Sequence, residues 1–254
     1  MKLKLALILT AVFLSFSCSQ DTTTDSKQNI VNNRQTTGSS ANDILSDNTF
    51  KSLVIELVYV EGFQPRQASI DNFVTFLTNH TYKPNGIDVQ VRSIPSLGTE
   101  TYSTEDIADI ERENRTQYNT KDKLAIWAFF TDGKSDKDES NSVVLGTAYW
   151  NTSFVIFEET IQGLSNSPIE PSRSLLESTV INHELGHLLG LTNLGTDMQT
   201  DHEDTNHPKH CNDEDCLMYW EAESAAAISN LSNTSTPPPL DAQCLADLKA
   251  NGGK

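Results

Sequence analysis

In the stretch "HELGHLLGLTN" (183–193), His183 and His187 stand four residues apart. On a helix that spacing puts both imidazoles on one face, where they can share one Zn²⁺. Glu184 lies beside them and can take a proton from a water activated by the metal, then pass it to a leaving amine. Zinc lowers the pKa of such a water toward about 7, so this chemistry suits neutral pH. Gly190 fits a bend just after the helix. Residue 193 is an asparagine. A neutral amide oxygen is a poorer zinc donor than imidazole, so a catalytic zinc here calls for a third ligand from elsewhere.

These residues need a rigid carrier. Leu175, Leu176, Val180 and Ile181 recur at helical spacing just before them, which predicts a helix over 171–189. Upstream, 51–62 and 86–95 read as strands, and 123–133 is a nearly continuous apolar run that suits a buried central strand. Residues 64–80, with Ile70, Phe73, Val74 and Leu77, form a helical pattern. Residues 103–118 form another, opened by the cap signal Ser103-x-x-Asp106. Residues 142–161 read as two short strands broken around Trp150–Thr152. Beyond the metal motif pattern is sparse, with helical stretches expected at 221–231 and in the closing "LDAQCLADLKANGGK". The fold class is α/β (α+β): a mixed twisted sheet, a long active-site helix and a loop-rich C-terminal part.

The chain has 254 residues, enough for one domain with a sizeable core. Its formal net charge of -17 argues against nucleic acid as a partner. The N-terminus begins with Lys2 and Lys4, continues through the apolar run 5–16 and reaches Ser17 and Cys18. That run is too short for a good membrane span. It resembles a bacterial lipoprotein signal cleaved after residue 17, with Cys18 the lipidated residue. Residues 18–48 are polar and almost free of aromatics, so a flexible tether is expected there. The folded domain is then expected at 49–254, divided into subdomains 49–190 and 191–254. Together these features predict a monomer anchored by lipid in the cell envelope, at the outer membrane.

"HELGHLLG" resembles the HExxHxxG core of the metzincin clan of zinc endopeptidases, and "CLMYW" (216–220) resembles its methionine turn, with Met218 beneath the metal. A more specific resemblance is to archaemetzincins, in which His-Cys, four residues, Cys, one residue and Met follow the helix. Here "HCNDEDCLM" supplies His210, Cys211, Cys216 and Met218, and "DAQCLADL" places Asp241 and Cys244 where that family carries a Cys-x-x-Cys pair. The layout matches over about 50–254 and the motifs over about 180–250. The chain departs from the pattern in the roughly 17 residues between Thr192 and His210, and in Asp241. The resemblance implies a zinc endopeptidase acting on proteins or peptides. It also implies a cleft bordered by "LGTAY" (145–149), where a substrate strand pairs with an exposed sheet edge. Small residues at Gly146 and Ala148 would let a peptide lie close.

His210 is the expected third zinc ligand, with His202 and Asn193 as alternatives. If Cys18 carries lipid, Cys211, Cys216 and Cys244 remain, an odd number that disulfides alone cannot satisfy. With Asp241 they make a Cys₃Asp set for a second, structural zinc; a Cys211–Cys216 disulfide with Cys244 buried is the alternative. Asp201, Glu203, Asp204, Asp213, Glu214 and Asp215 could hold Ca²⁺ or simply stay solvated. Tyr219 either packs or faces the reacting centre. Against the peptidase stand a non-catalytic peptide-binding lipoprotein and a zinc scavenger. Glu184 favours the enzyme, since a binding module needs no general base.

Overall fold

The apolar runs become a sheet buried on both faces. In the computed structural model, which describes residues 28–140, 142–224, 231 and 234–254, five strands lie in the order β2 (Ile87–Ile94), β1 (Ser52–Val60), β4 (Lys123–Phe130), β7 (Ser153–Ile156), β6 (Gly146–Trp150). The first four are mutually parallel, β6 runs antiparallel along the edge, and β3 (Thr101–Tyr102) pairs with β5 (Lys134–Ser135) in a separate two-stranded sheet. Alternate residues serve opposite layers. Leu53, Ile55 and Leu57 of β1 and Leu124, Ile126 and Phe130 of β4 join one cluster. Val58, Val60, Trp127 and Phe129 join the other. Helices α2 (Gln67–His80) and α5 (Arg173–Leu188) cover the first layer through Phe73, Leu77, Leu176, Val180 and Leu185. Helix α3 (Thr104–Asn114) covers the second through Ile107 and Ile110. Helix α3 starts with the expected capping box between Ser103 and Asp106.

Several boundaries differ from expectation. Helix α3 stops at Asn114 because Arg115 turns inward, donating to Glu111 and to the Ala125 carbonyl (2.7 and 2.8 Å). Residues 158–161 belong to a short helix, α4 (Glu158–Gly163), rather than to a strand. In the stretch 221–231 a 3₁₀ turn, Trp220–Glu223, replaces the start of the expected helix; residues 225–230 lie outside the described residues. The closing helix is α6 (Ala242–Ala250).

The tether needs the largest correction. The expected signal 1–17, Cys18 and the tether as far as residue 27 lie outside the described residues. Residues 28–48 pack on the domain. They form a helical turn at 28–32 and helix α1 (Ala41–Leu45), whose Ile44 and Leu45 are fully buried. Polar composition misleads here because two apolar residues and one amide suffice to fix the segment. Each buried aliphatic contributes about 1.5–3 kcal/mol. Asn33, fully buried, donates to Asn119 Oδ1 (2.9 Å), Thr152 Oγ1 (3.0 Å) and the Ala125 carbonyl (3.1 Å), and accepts from Asn119 N (3.0 Å). Lys83 donates to the Asp43, Ser46 and Phe50 carbonyls. Among the described residues no helix is long and apolar enough to cross a membrane.

Because the Asn33 amide satisfies buried backbone and side-chain groups of β4 and the β6–β7 turn, Asn33→Ala should lower unfolding stability by about 1–3 kcal/mol. Urea denaturation measures this, and an unchanged midpoint would mean that residues 28–45 are not part of the folded unit.

Candidate metal centre

Helix α5 carries the centre. Ser172 caps its N-terminus, its hydroxyl accepting from Leu175 N (3.3 Å). Its C-terminus ends at Gly190, whose φ of +74° suits glycine, while Leu191 N donates back to the Gly186 carbonyl (3.1 Å). A Cβ on Gly190 would lie 2.7 Å from Thr196 N, so close packing also requires glycine here. From Leu175 to Leu188 every residue of α5 is buried. The helix is sandwiched between the sheet and the C-terminal loops, which holds its polar side chains rigidly.

His183 and His187 project from one face, ring centroids 4.8 Å apart. His210 arrives from the C-terminal part, 5.2 Å from the His183 ring and 5.1 Å from that of His187. His183 Nδ1 bonds the Leu217 carbonyl (2.8 Å), which makes Nδ1 the protonated nitrogen and leaves a lone pair on Nε2. The Nε2 atoms of His183 and His210 are buried with no hydrogen bond. Burial pushes His183 down to about 4 and His187 well below the usual imidazole range, in each case against the opposing pull of Glu223. The Nε2 atoms of His183 and His210, unsatisfied by the protein, together with the His187 ring form a donor set that fits a cation such as Zn²⁺.

Met218 lies under this group. Its Sδ is 2.2 Å from where a Cβ on Gly186 would sit, so only glycine lets the methionine tuck against the helix between the two histidines. Glu184 is fully buried on the side facing β6. A Cβ on Gly146 would lie 2.6 Å from Glu184 Oε1. Gly146 was expected to make room for a peptide; in the structure it makes room for the Glu184 carboxylate. Ala148 lines the opening beside Glu184, His187 and His210, together with Thr37 and Lys209. Burial first, then the charge of Glu223, raises the Glu184 carboxyl well above the ordinary range.

The chain between α5 and His210 is held at both ends. The Thr192 hydroxyl donates to the Lys209 carbonyl, Asp204 N donates to the His210 carbonyl (2.8 Å), and Glu203 bridges Cys211. Asn193, at φ +65°, turns outward to donate to Glu203 Oε2 (3.1 Å). Neither Asn193 nor His202, the two alternatives to His210, is at the three-histidine group. Glu223 is there instead. Its carboxylate lies 3.3 Å from His210 Nε2, 3.7 Å from His183 Nε2 and 4.0 Å from His187 Nε2. The sequence carried no sign of this, since an acid five residues past Met218 belongs to none of the motifs present.

His202 joins a second cluster, with Cys211, Asp241 and Cys244. Cys216 adjoins it, its Sγ 3.7 Å from Cys244 Sγ. No disulfide joins the three cysteines, all of them buried. His202 Nδ1 faces Cys211 Sγ (3.4 Å) and Cys244 Sγ (4.0 Å), while its Nε2 bonds Asp247 Oδ2 (2.8 Å). Cys216 Sγ accepts from the amides of Met218 and Asp241 (3.4 Å each), while its hydrogen bond to Cys211 pushes its own thiol up to about 12. Hydrogen bonding from Cys216 and Cys244 holds Cys211 well below the usual thiol range. Asp241 is chiefly a helix cap, its Oδ1 accepting from Cys244 N (2.7 Å); its Oδ2 lies 3.8 Å from Cys211 Sγ.

The acids considered for Ca²⁺ do not converge among the described residues. Glu203 accepts from Asn193 and Lys209 N, Asp204 from Asn206 N and His207, and Asp213 from Asp215 N. Loop backbone and neighbouring side chains absorb their charge, which leaves no oxygen cage. Tyr219 lines a separate cavity beside Pro238 and Leu231, away from the three histidines.

No model of a known protein family matches the chain, and no curated protein does. Among solved structures, archaemetzincin from Methanopyrus kandleri superposes with a TM-score of 0.50 at 17% identity, over 79% of this chain and 96% of that one. Metalloproteinase-II from Bacteroides fragilis aligns at 17% identity over 82% of this chain and 54% of that one, with a TM-score of 0.41. The chain therefore has a mixed, mostly parallel α/β fold like that of archaemetzincin.

Proposed function

We propose that this protein is a zinc-dependent endopeptidase. One observation carries the reading: the buried imidazoles of His183 and His187 and the part-buried one of His210, from two parts of the chain, converge next to the buried Glu184 carboxylate, with the Nε2 atoms of His183 and His210 unsatisfied, beside the edge strand of the sheet. His183, His187 and His210 would hold the zinc, and a zinc ion there would supply Lewis-acid activation of a water and of the scissile carbonyl. Glu184 is the general base. Gly146 keeps its carboxylate close to β6, where an extended peptide can add as a further strand. The α5 backbone and the Leu217 carbonyl hold the imidazoles in register.

The second cluster is proposed to be a structural zinc site made by Cys211, Cys216, Cys244 and His202. Asp241, a ligand expected from the sequence, belongs to the same group through Oδ2, but its Oδ1 caps α6, and His202 takes its place in the proposed set. His202 presents Nδ1 to the sulfurs while Asp247 holds its other nitrogen, the usual arrangement behind a metal-bound imidazole. A lipid on Cys18, anchoring a monomer in the cell envelope, completes the proposal.

Glu184→Gln should lower peptide cleavage by about 10²–10⁴-fold while bound zinc stays the same by elemental analysis; full activity in that variant would remove Glu184 from the mechanism. The intact protein should bind two zinc ions. His202→Ala and Cys244→Ser should each reduce this to one, whereas Asp241→Ala keeps both. If Asp241→Ala loses a metal and His202→Ala does not, the sequence-based ligand set is the correct one. Cys18→Ser should move the protein from the membrane fraction to the soluble fraction, and a membrane-bound Cys18→Ser form would rule out the lipid anchor.

A further inference from the structure

Glu223 has no part in the peptidase reading above, yet its carboxylate lies among the three metal-facing nitrogens. A carboxylate set against three imidazole lone pairs is electrostatically unfavourable unless a cation lies between them. The spacing fits one. With zinc about 2.0–2.1 Å from each donor, tetrahedral ligand atoms stand about 3.4 Å apart. Glu223 Oε1 lies 3.3 Å from His210 Nε2, and its Oε2 lies 3.7 and 4.0 Å from the Nε2 atoms of His183 and His187. One atom from each of the four residues falls within 4.8 Å of the others, so a small inward turn of the carboxylate brings one oxygen to that edge. Glu184 adjoins the same space, but its carboxylate is taken up by the room that Gly146 leaves.

Accepting the zinc-site reading, we propose that Glu223 is a fourth, displaceable ligand of the catalytic metal that keeps the resting centre closed. The backbone around Glu223 says how it is displaced. The Glu223 carbonyl accepts from Leu145 N (2.9 Å), and Ser224 bridges Val144 in antiparallel fashion. Residues 144–145 lead directly into β6, the strand along which a peptide would add. Its far end is held by Asn151 N donating to the Gln35 carbonyl (3.0 Å). A substrate strand joining β6 must therefore press on the segment that carries Glu223. The Glu223 side chain is 29% exposed, so it can swing toward solvent without opening a cavity in the core. A substrate carbonyl or a water then takes the vacated place. In this arrangement the centre becomes reactive only once the cleft is filled.

Two readouts test this without relying on peptide cleavage. The first is zinc loss to dipicolinate from the intact protein, in which the catalytic ion is followed by its displacement on adding acetohydroxamate and the second ion serves as the internal reference. The second is acetohydroxamate binding measured by calorimetry. In Glu223→Ala, zinc should be removed at least tenfold faster and acetohydroxamate should bind at least tenfold tighter, since a ligand is gone and its position is open. Glu223→Asp, one methylene shorter and unable to reach the metal, should behave like the alanine variant. An unchanged value in either assay overturns the proposal, provided circular dichroism shows the variants folded; Glu223→Gln, which preserves the shape, repeats the test if they are not. Failure of the peptidase reading looks different. Peptides would then stay uncut in every form while the zinc and hydroxamate shifts remained.

Discussion

The hydrogen bond from His183 Nδ1 to the Leu217 carbonyl ties the two halves of the molecule together at the point where chemistry is proposed. On one side is a helix buried along its whole length. On the other is a loop with little regular structure. The bond sets the imidazole tautomer, and it also fixes the height of the loop against the helix. Once Leu217 is placed, Met218 follows it under Gly186, and the Met218 carbonyl accepts from Cys211 N (2.8 Å). That last bond closes the 211–218 loop and presents His210 to its partners.

His210 and Cys211 are consecutive, and their side chains serve opposite centres. His210 faces the histidine group and Cys211 the sulfur group. A cluster that fixes Cys211 therefore also limits how far His210 can drift. This is how a loop-borne histidine is brought beside two from a helix. Loops lack the ladder of backbone bonds that stiffens helices and strands. Here the loop is cross-linked by side chains instead, through Cys211, Cys216, Cys244 and His202, and His202 is in turn held by Asp247 on α6.

Most of the fold was legible because burial on both faces writes long apolar runs. Strand β4 is one such run, and α5 announced itself by Leu175, Leu176, Val180 and Ile181. The HExxH residues were legible for a similar reason, since a fixed helical spacing translates directly into a shared face. What was hidden was set by contacts distant in sequence. Asn33 looks like any loop asparagine until Asn119 and Thr152 meet it. Glu223 looks like one acid in an acidic chain until the 3₁₀ turn aims it at the histidines. Asp241 sits where a family motif has cysteine, and the structure gives it two contacts: Oδ1 caps the closing helix, as suits a residue just before a helix, while Oδ2 stays with the second cluster.

The long insertion before His210 is tolerated for the same reason. Closing a loop costs little more as it lengthens, roughly 0.6 kcal/mol per doubling, so what matters is whether its ends are fixed. Residues 191–209 leave at Gly190, where a positive φ sends the chain away from the helix axis. They return at Lys209, whose carbonyl is caught by Thr192. Between those clamps the chain drops His202 into the second cluster. A segment that first reads as an interruption of the metal motif thus contributes a buried side chain to the group that steadies the loop's own exit. The third histidine stands farther along the chain than the helical motif anticipates, yet the loop returns it to within 5.2 Å of the other two rings.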